Sequence, residues 1–367
     1  MGKSVQPNSF EAVSLFSGAG GMDIGFQRAG FKVVFANDLD RYACQTYHLN
    51  GLGDIVEGEL NPREAIAKGK GVDLVFGGPP CQGFSVAGKM NPDDARSTLI
   101  NTFFDVVDGA EPASFVCENV KALASLSRWE AVREALLHRS RKRYRVALLV
   151  LKASDFGVPQ IRERMFLIGI HRDRFLGTDD DLAFELNARI ALDRRAPMTV
   201  GQVVRQLGPA GSEGNSRTCR AKITYARRPI MRKSPYAGMM FNGAGRPVPT
   251  NGCATTLPAS MGGNKTPIVD EREIFEGASS FVEEYHRSLW AGGMPRNGDA
   301  PSFLRRLTID ECLAIQTFPQ GYRLAGSQSA QYRQIGNAVP CDLAAVVAIA
   351  VRGILAGEMT SYSVAAE

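Results

Sequence analysis

The stretch Phe16-Ser17-Gly18-Ala19-Gly20-Gly21 decides the fold class of this chain. It follows an apolar segment at 12–16 that reads as a strand, and it opens a helical pattern at 22–29 that Gly30 closes. A second strand pattern at 32–36 leads into Ala36-Asn37-Asp38-Leu39-Asp40. Strand, glycine turn, helix and strand together make the unit from which a parallel sheet with helices on its faces is built. The glycines let the backbone turn sharply and let a ligand approach the main chain closely. Asp38, twenty residues beyond Gly18, stands where a carboxylate can accept hydrogen bonds from ribose hydroxyls.

By itself this loop also fits a plain tight turn with a helix-capping aspartate, or a nicotinamide dehydrogenase. Its Gly-x-Gly-Gly spacing, in place of Gly-x-Gly-x-x-Gly, counts against a dinucleotide and suits a nucleoside without a pyrophosphate. Asp54-Ile55, after Gly53, ends another short segment and can read an adenine amino group. Working outward, strand patterns recur at 72–76, 114–117, 145–151 and 165–169. The predicted fold class is α/β, a doubly wound domain with a smaller irregular one beside it. The pattern breaks near Ala191: from there to about Phe303 the chain is rich in Gly, Pro, Arg and Asn, with no helical period until 279–289. Helical patterning returns at 308–316 and 342–355.

Composition limits the possible functions. With 367 residues, 44% of them hydrophobic, the chain can bury a large core. The longest apolar run, 343–351, stops at Arg352, well short of a membrane span, and the N-terminus carries no signal-peptide pattern. Seven scattered cysteines, no Cys-x-x-Cys and four isolated histidines argue against a disulfide framework and against a metal site. These features predict a cytoplasmic protein with reduced thiols. The net charge is +5, but 194–246 holds eleven Lys or Arg against the single acid Glu213. That basic segment fits either a polyanionic partner or a solvated surface.

The second constellation carries chemistry. Gly77-Gly78-Pro79-Pro80-Cys81-Gln82-Gly83-Phe84-Ser85 follows the strand at 72–76, so the prolines present Cys81 rigidly at a strand's C-terminal edge. A thiolate there is a strong nucleophile. Cys117-Glu118-Asn119-Val120 ends another strand of the same sheet, so Glu118 can face the same cleft and hold a ring nitrogen as Cys81 attacks. In Gln160-Ile161-Arg162-Glu163-Arg164, an extended chain points Arg162 and Arg164 the same way. That pair reads as a two-armed clamp on one ligand or as a surface salt-bridge ladder.

Together these elements resemble the ordered motifs of the DNA (cytosine-5) methyltransferase family, bacterial modification enzymes included. The loop at 16–21 resembles that family's cofactor loop, Pro79-Pro80-Cys81 its nucleophile motif, and Glu118-Asn119-Val120 its acid motif. The segment from Gln160 to Arg164 resembles its Gln-x-Arg-x-Arg motif. Arg306-Leu307-Thr308 through Gln316-Thr317-Phe318-Pro319, and 331–340 with Gly336-Asn337-Ala338-Val339-Pro340, match its two C-terminal motifs. The resemblance covers nearly the whole chain in the family's order. It implies a catalytic and cofactor domain at 1–190 completed by 328–367, a target-recognition domain at 191–303, and a hinge with a connecting helix at 304–327.

The resemblance implies the following roles. Cys81 would attack cytosine C6, Glu118 would hold N3 and the amino group, and Arg164 would meet O2 with Arg162 nearby. S-adenosylmethionine would be held by Phe16, Gly18, Gly20, Gly21, Met22, Asp38, Leu39, Asp54, Ile55, Pro79, Leu99, Asn337 and Ala338. Duplex DNA would be met by Gln82, Ser85, Arg227, Arg228, Thr256 and Leu257, the last two resembling a Thr-Leu element of the recognition domain. Segment 82–99 would close over the flipped base as a lid. Asp38 stands where many relatives have Glu, and Ala338 where some have Ser. The further expectations are a monomer on DNA, a cognate restriction endonuclease in the cell, and no membrane or metal partner. An RNA cytosine methyltransferase would share the chemistry; the extended basic region favours duplex DNA. A non-catalytic DNA-binding relative would be expected to have lost Cys81 or Glu118, and both are present.

Overall fold

The computed structural model describes residues 10–80 and 98–359. They divide into two compact units: one lies within Met1–Phe156, Glu163–Arg195 and Cys341–Glu367, the other within Gly157–Arg162 and Ala196–Pro340. Gln328–Asn337 is assigned to the second unit.

The first unit begins with β1 (Phe10–Leu15), α1 (Gly21–Arg28), β2 (Phe31–Asp38), α2 (Arg41–Leu49), β3 (Val56–Glu57), α3 (Pro62–Gly69) and β4 (Leu74–Gly77). It continues with α4 (Thr98–Ala110), β5 (Ser114–Val120), α5 (Lys121–Ser125), α6 (Glu130–Ser140) and β6 (Tyr144–Lys152). After β7 (Gln160–Ile161), which belongs to the second unit, come β8 (Glu163–His171) and α7 (Asp179–Leu192). Seven strands form one sheet in the order β3-β2-β1-β4-β5-β8-β6. From β3 to β5 every pairing is parallel. Alternation along the strands supplies two buried faces. Val13, Leu15 and Val75 join Ala65, Phe103 and Phe104 of α3 and α4 in one core. On the opposite face Phe76 stacks on Phe26 of α1, with centroids 4.2 Å apart.

β8 runs antiparallel to both β5 and β6, so the sheet is mixed. Only ten residues separate β6 from β8, fewer than a parallel crossover needs.

The second unit contains α8 (Val200–Leu207), β9 (Tyr225–Ile230), β10 (Met239–Phe241), β11 (Ala254–Thr255), β12 (Ile268–Asp270), α9 (Glu271–Phe275) and α10 (Phe281–Trp290). It ends with β13 (Leu304–Arg306), α11 (Ile309–Ile315) and α12 (Gln328–Asn337). Its strands pair only two at a time. A small core of Ile223, Tyr225, Met240, Phe241, Ile268, Val282, Tyr285 and Leu304 holds it together. α13 (Cys341–Leu355) belongs to the first unit, where it packs on α1 and α7. Gln328–Leu355 as a whole is long and apolar enough to cross a membrane, but residues 338–340 interrupt it and 61% of its most apolar window is buried.

Candidate active site

The chain passes from β1 to β2 on one side of the sheet and returns to β4 on the other side of β1. Loops that leave β1 and β4 therefore diverge, and in open α/β sheets ligands bind in that crevice at the C-terminal strand ends. The register confirms one shared rim: Leu15 lies opposite both Asn37 and Gly77, and Gly77 opposite Cys117. Phe16–Gly21, Asp38, Gly78 and Glu118 thus leave four adjacent strands side by side.

Glu118 and Arg164 form the charged centre of that rim. Arg164 Nε lies 2.9 Å from Glu118 Oε1, and both side chains are largely buried. Because β8 runs antiparallel to β5, its first residues lie beside the C-terminal end of β5, with Arg164 opposite Val120. Asn119 Nδ2 donates to Pro79 O at 3.2 Å, which ties the Pro79-Pro80 turn to β5. Gly78 keeps room for the acid, since a Cβ there would stand 2.8 Å from Glu118 Oε2. Cys81 follows Pro80 directly in the chain; Cys81, Gln82 and Ser85 lie outside the described residues.

The glycine loop is bound to Asp38 directly. Gly18 N donates to Asp38 Oδ2 at 2.7 Å, and Asp40 N donates to Asp38 Oδ1 at 2.8 Å. Burial raises the Asp38 pKa, against the lowering effect of these bonds. Gly18 has φ +55 with open space where a Cβ would be, and Phe16 has φ +57, a left-handed conformation that only local constraint sustains in a non-glycine residue. Gly20 caps α1; Gly21 and Met22 form its buried first turn. Leu39 is 68% exposed, Asp54 is exposed, Ile55 is buried and Leu99 half-buried. An exposed leucine beside a carboxylate, next to open glycine backbone, fits the apolar and ribose parts of a nucleoside.

Arg162 departs from the expectation. It is the single residue between β7 and β8, and it is assigned to the second unit while Arg164 belongs to the first. Arg162 is 2% exposed and donates to Leu257 O at 3.2 Å and Gly336 O at 3.1 Å. Its guanidinium serves the interior of the second unit. Leu257 is likewise fully buried, with its N donating to Gln160 Oε1 at 2.9 Å. Thr256 is exposed, and its hydroxyl donates to Ile161 O at 2.9 Å. Arg227 and Arg228 are both exposed on β9. Asn337 is exposed and Ala338 half-buried at the end of α12.

Two positions went unnoticed as functional in the sequence. Gln160 Nε2 donates to Gln316 Oε1 at 3.0 Å, and Gln316 Nε2 donates to Ile335 O at 2.6 Å, which stitches three motifs of the second unit together. The signal was available in that both glutamines sit in quoted motifs, but their partners lie far apart in the chain.

A doubly wound sheet with a glycine loop, a carboxylate after the second strand and an acid–arginine pair on one rim places a polar crevice at the strand ends, where enzymes of this α/β class hold their ligands. The family model for C-5 cytosine-specific DNA methylase matches residues 10–352. The Type II methyltransferase M.HgiDI of Herpetosiphon aurantiacus is 32% identical over 348 residues, covering 94% of this chain and 95% of that protein. M1.HphI of Haemophilus parahaemolyticus is 30% identical over 356 residues, covering 94% and 87%. Among solved structures, a prophage-encoded DNA modification methyltransferase of E. coli superposes with a TM-score of 0.65 at 21% identity, covering 95% of this chain and 100% of that one. S. pombe Dnmt2 gives 0.63 at 17%, covering 95% and 98%. At those identities the two structures establish the fold. The chain belongs to the C-5 cytosine-specific DNA methylase family and is a DNA (cytosine-5) methyltransferase.

Proposed function

We propose that the chain methylates C5 of one cytosine in a specific duplex sequence, with S-adenosylmethionine as donor, base flipping, and a transient bond from Cys81 Sγ to C6. The observation that carries this reading is the Glu118–Arg164 pair on the rim, in a segment tied to the Pro79-Pro80 turn that precedes Cys81. When bound, S-adenosylmethionine supplies an electrophilic methyl group on a sulfonium. Gly18, Asp38, Leu39, Asp54 and Ile55 would hold it.

Carbon 5 of cytosine is too weak a nucleophile to take a methyl group unaided. The Cys81 thiolate adds to C6, and the displaced electron pair moves through C5–C6 toward N3 and O2. Glu118 holds N3 and the amino group, and Arg164 meets O2, so both stabilise charge where it develops. Methyl transfer to C5 would break the donor's methyl–sulfur bond, with that electron pair staying on sulfur; a base then removes the C5 proton, and the C–H pair re-forms C5–C6 as the thiolate leaves. None of these atoms is reachable in a stacked duplex, so the cytosine must leave the helix at a cost of roughly a few kcal/mol. Arg227, Arg228 and their basic neighbours would neutralise phosphates, which gives affinity without sequence choice. The Type II names of the relatives support a role beside a restriction endonuclease.

Sequencing bisulfite-treated DNA from cells that express the chain tests this reading. One cytosine within a recurrent short sequence should resist conversion, and Glu118→Gln should restore conversion. A folded, expressed protein that leaves every cytosine convertible would contradict it.

A further inference from the structure

Beside the glycine loop lies a carboxylate that the reaction scheme does not use. Asp23, in the first turn of α1 and two residues beyond Gly21, is fully buried. Its Oδ1 accepts a hydrogen bond from the Tyr47 hydroxyl at 3.0 Å, and its Oδ2 has no hydrogen-bond partner. The neighbouring Ser14 hydroxyl lies 2.8 Å from Ser17 Oγ, and by accepting there it can turn its own proton to the Asp23 carboxylate, which it helps to keep ionised. A carboxylate buried in a core without a cation beside it is costly, which marks it as a candidate for a role in the adjoining site.

The placement shows what the charge can act on. Tyr47 belongs to α2, whose N-cap Asp40 follows Asp38 and Leu39 directly. The Asp23–Tyr47 bond therefore links the helix after the glycine loop to the helix after the ribose-side carboxylate. It supports the same junction as the Gly18–Asp38 bond, one layer deeper. The charged and titratable groups around Asp23 supply no cation for it. Asp38 at the end of β2 bears on it unfavourably, and Tyr47 on α2 donates to it. Cys341 at the start of α13 is a thiol that burial holds protonated. Arg28, farther along α1, pairs with Asp342 at 3.0 Å. Burial raises the Asp23 pKa to about 6, which leaves it mostly ionised above neutrality.

We propose that Asp23 is a positioning residue of the cofactor loop whose buried charge favours a cationic methyl donor over the neutral-sulfur product. The inference rests on the reading of this loop as the S-adenosylmethionine site. Donor and product share their adenosine and amino-acid groups and differ at sulfur, which loses one positive charge when the methyl group leaves. A charge inside the protein is poorly screened, so it discriminates between the two without touching either. Such a bias would hold the donor before transfer and help the product depart.

Titration calorimetry on the full chain at pH 8, with S-adenosylmethionine and with S-adenosylhomocysteine, tests this together with melting of the free protein. Asp23→Asn keeps an acceptor for Tyr47 but removes the charge. It should weaken donor binding on the order of tenfold, leave product binding within about twofold, and raise the melting temperature of the free protein. Tyr47→Phe removes the bond between the helices and should weaken both ligands alike. In the wild type, the donor-to-product affinity ratio should fall as pH drops from 8 to 5; protonation of Asp38 would affect the shared ribose and so both ligands. An unchanged ratio in Asp23→Asn and across this pH range overturns the proposal. A wild-type protein that binds neither ligand overturns the cofactor reading itself.

Discussion

At the rim of the first unit, Glu118 and Arg164 are held by strands of seven and nine residues whose backbone bonds are made to each other. In the second unit the strands are two to six residues long, and buried polar side chains take over the work of the ladder. Arg306, 1% exposed, donates to Thr266 O at 2.8 Å, Asn242 O at 3.0 Å and Asn242 Oδ1 at 2.9 Å. Arg162, Gln160 and Gln316 do the same elsewhere in that unit. The contrast shows two ways of fixing a polar site. A regular sheet leaves its rim side chains available for chemistry, whereas an irregular domain consumes its arginines and glutamines to satisfy its own carbonyls.

The largest expected effect comes from the rim. Glu118→Gln should lower kcat on the order of a hundredfold or more while the protein stays folded, because strands and not the carboxylate hold the site. Steady-state methylation with a parallel melt would check this; loss of folding would place Glu118 with the structural residues and erase the contrast. Arg306→Met should act the opposite way. It leaves buried carbonyls unsatisfied and should destabilise the protein by about 3 kcal/mol or more, read by urea unfolding. A well-folded Arg306→Met protein would mean that the second unit does not depend on its buried cation.

Next in size is a pH effect at Asp23, whose pKa is raised from 3.8 to about 6. The folded chain holds this proton more tightly than the unfolded one. Its stabilising contribution is therefore complete below pH 3.8, is lost as pH rises through about 6, and leaves a deficit of about 3 kcal/mol above that. Asp23→Asn should relieve up to that amount at pH 8, less the cost of burying an amide, with the gain disappearing toward pH 4. Unfolding curves at the two pH values check the sign. The smallest effect concerns a cap. Thr178 accepts from Asp181 N at 3.1 Å in a capping box at the start of α7, and Thr178→Ala should cost about 1 kcal/mol by thermal melting.

The same contrast decides how much was legible in the sequence. β1, β2, β4, β5 and β6, with α1, were readable because each buries one or both faces and so carries an apolar pattern of its own. The Glu118 position was readable for the same reason, as parallel strands end on one rim. The antiparallel run of β8 was hidden because period-2 patterning has no direction; the shortness of 153–162 was the usable sign. α7 buries only a narrow stripe of Leu182, Leu186 and Ile190, so its aspartate-rich start masked it. Arg162 looked like a ligand clamp because its partners, Leu257 and Gly336, lie 95 and 174 residues away, beyond anything spacing can show. The Asp23–Tyr47 bond escaped notice because its two residues lie on different helices.

Whether the acid–arginine rim serves a cysteine that bonds to cytosine is tested by one trapping measurement. The enzyme would be incubated with duplex DNA whose target cytosine carries fluorine at C5, together with S-adenosylmethionine, and run on a denaturing gel. The C5 fluorine cannot be removed as a cation, so the last step fails and Cys81 should remain bonded to C6. A shifted band should appear that requires S-adenosylmethionine, forms more slowly with Glu118→Gln and is absent with Cys81→Ala. A band that persists with Cys81→Ala, or no band from a preparation that methylates ordinary DNA, would contradict it.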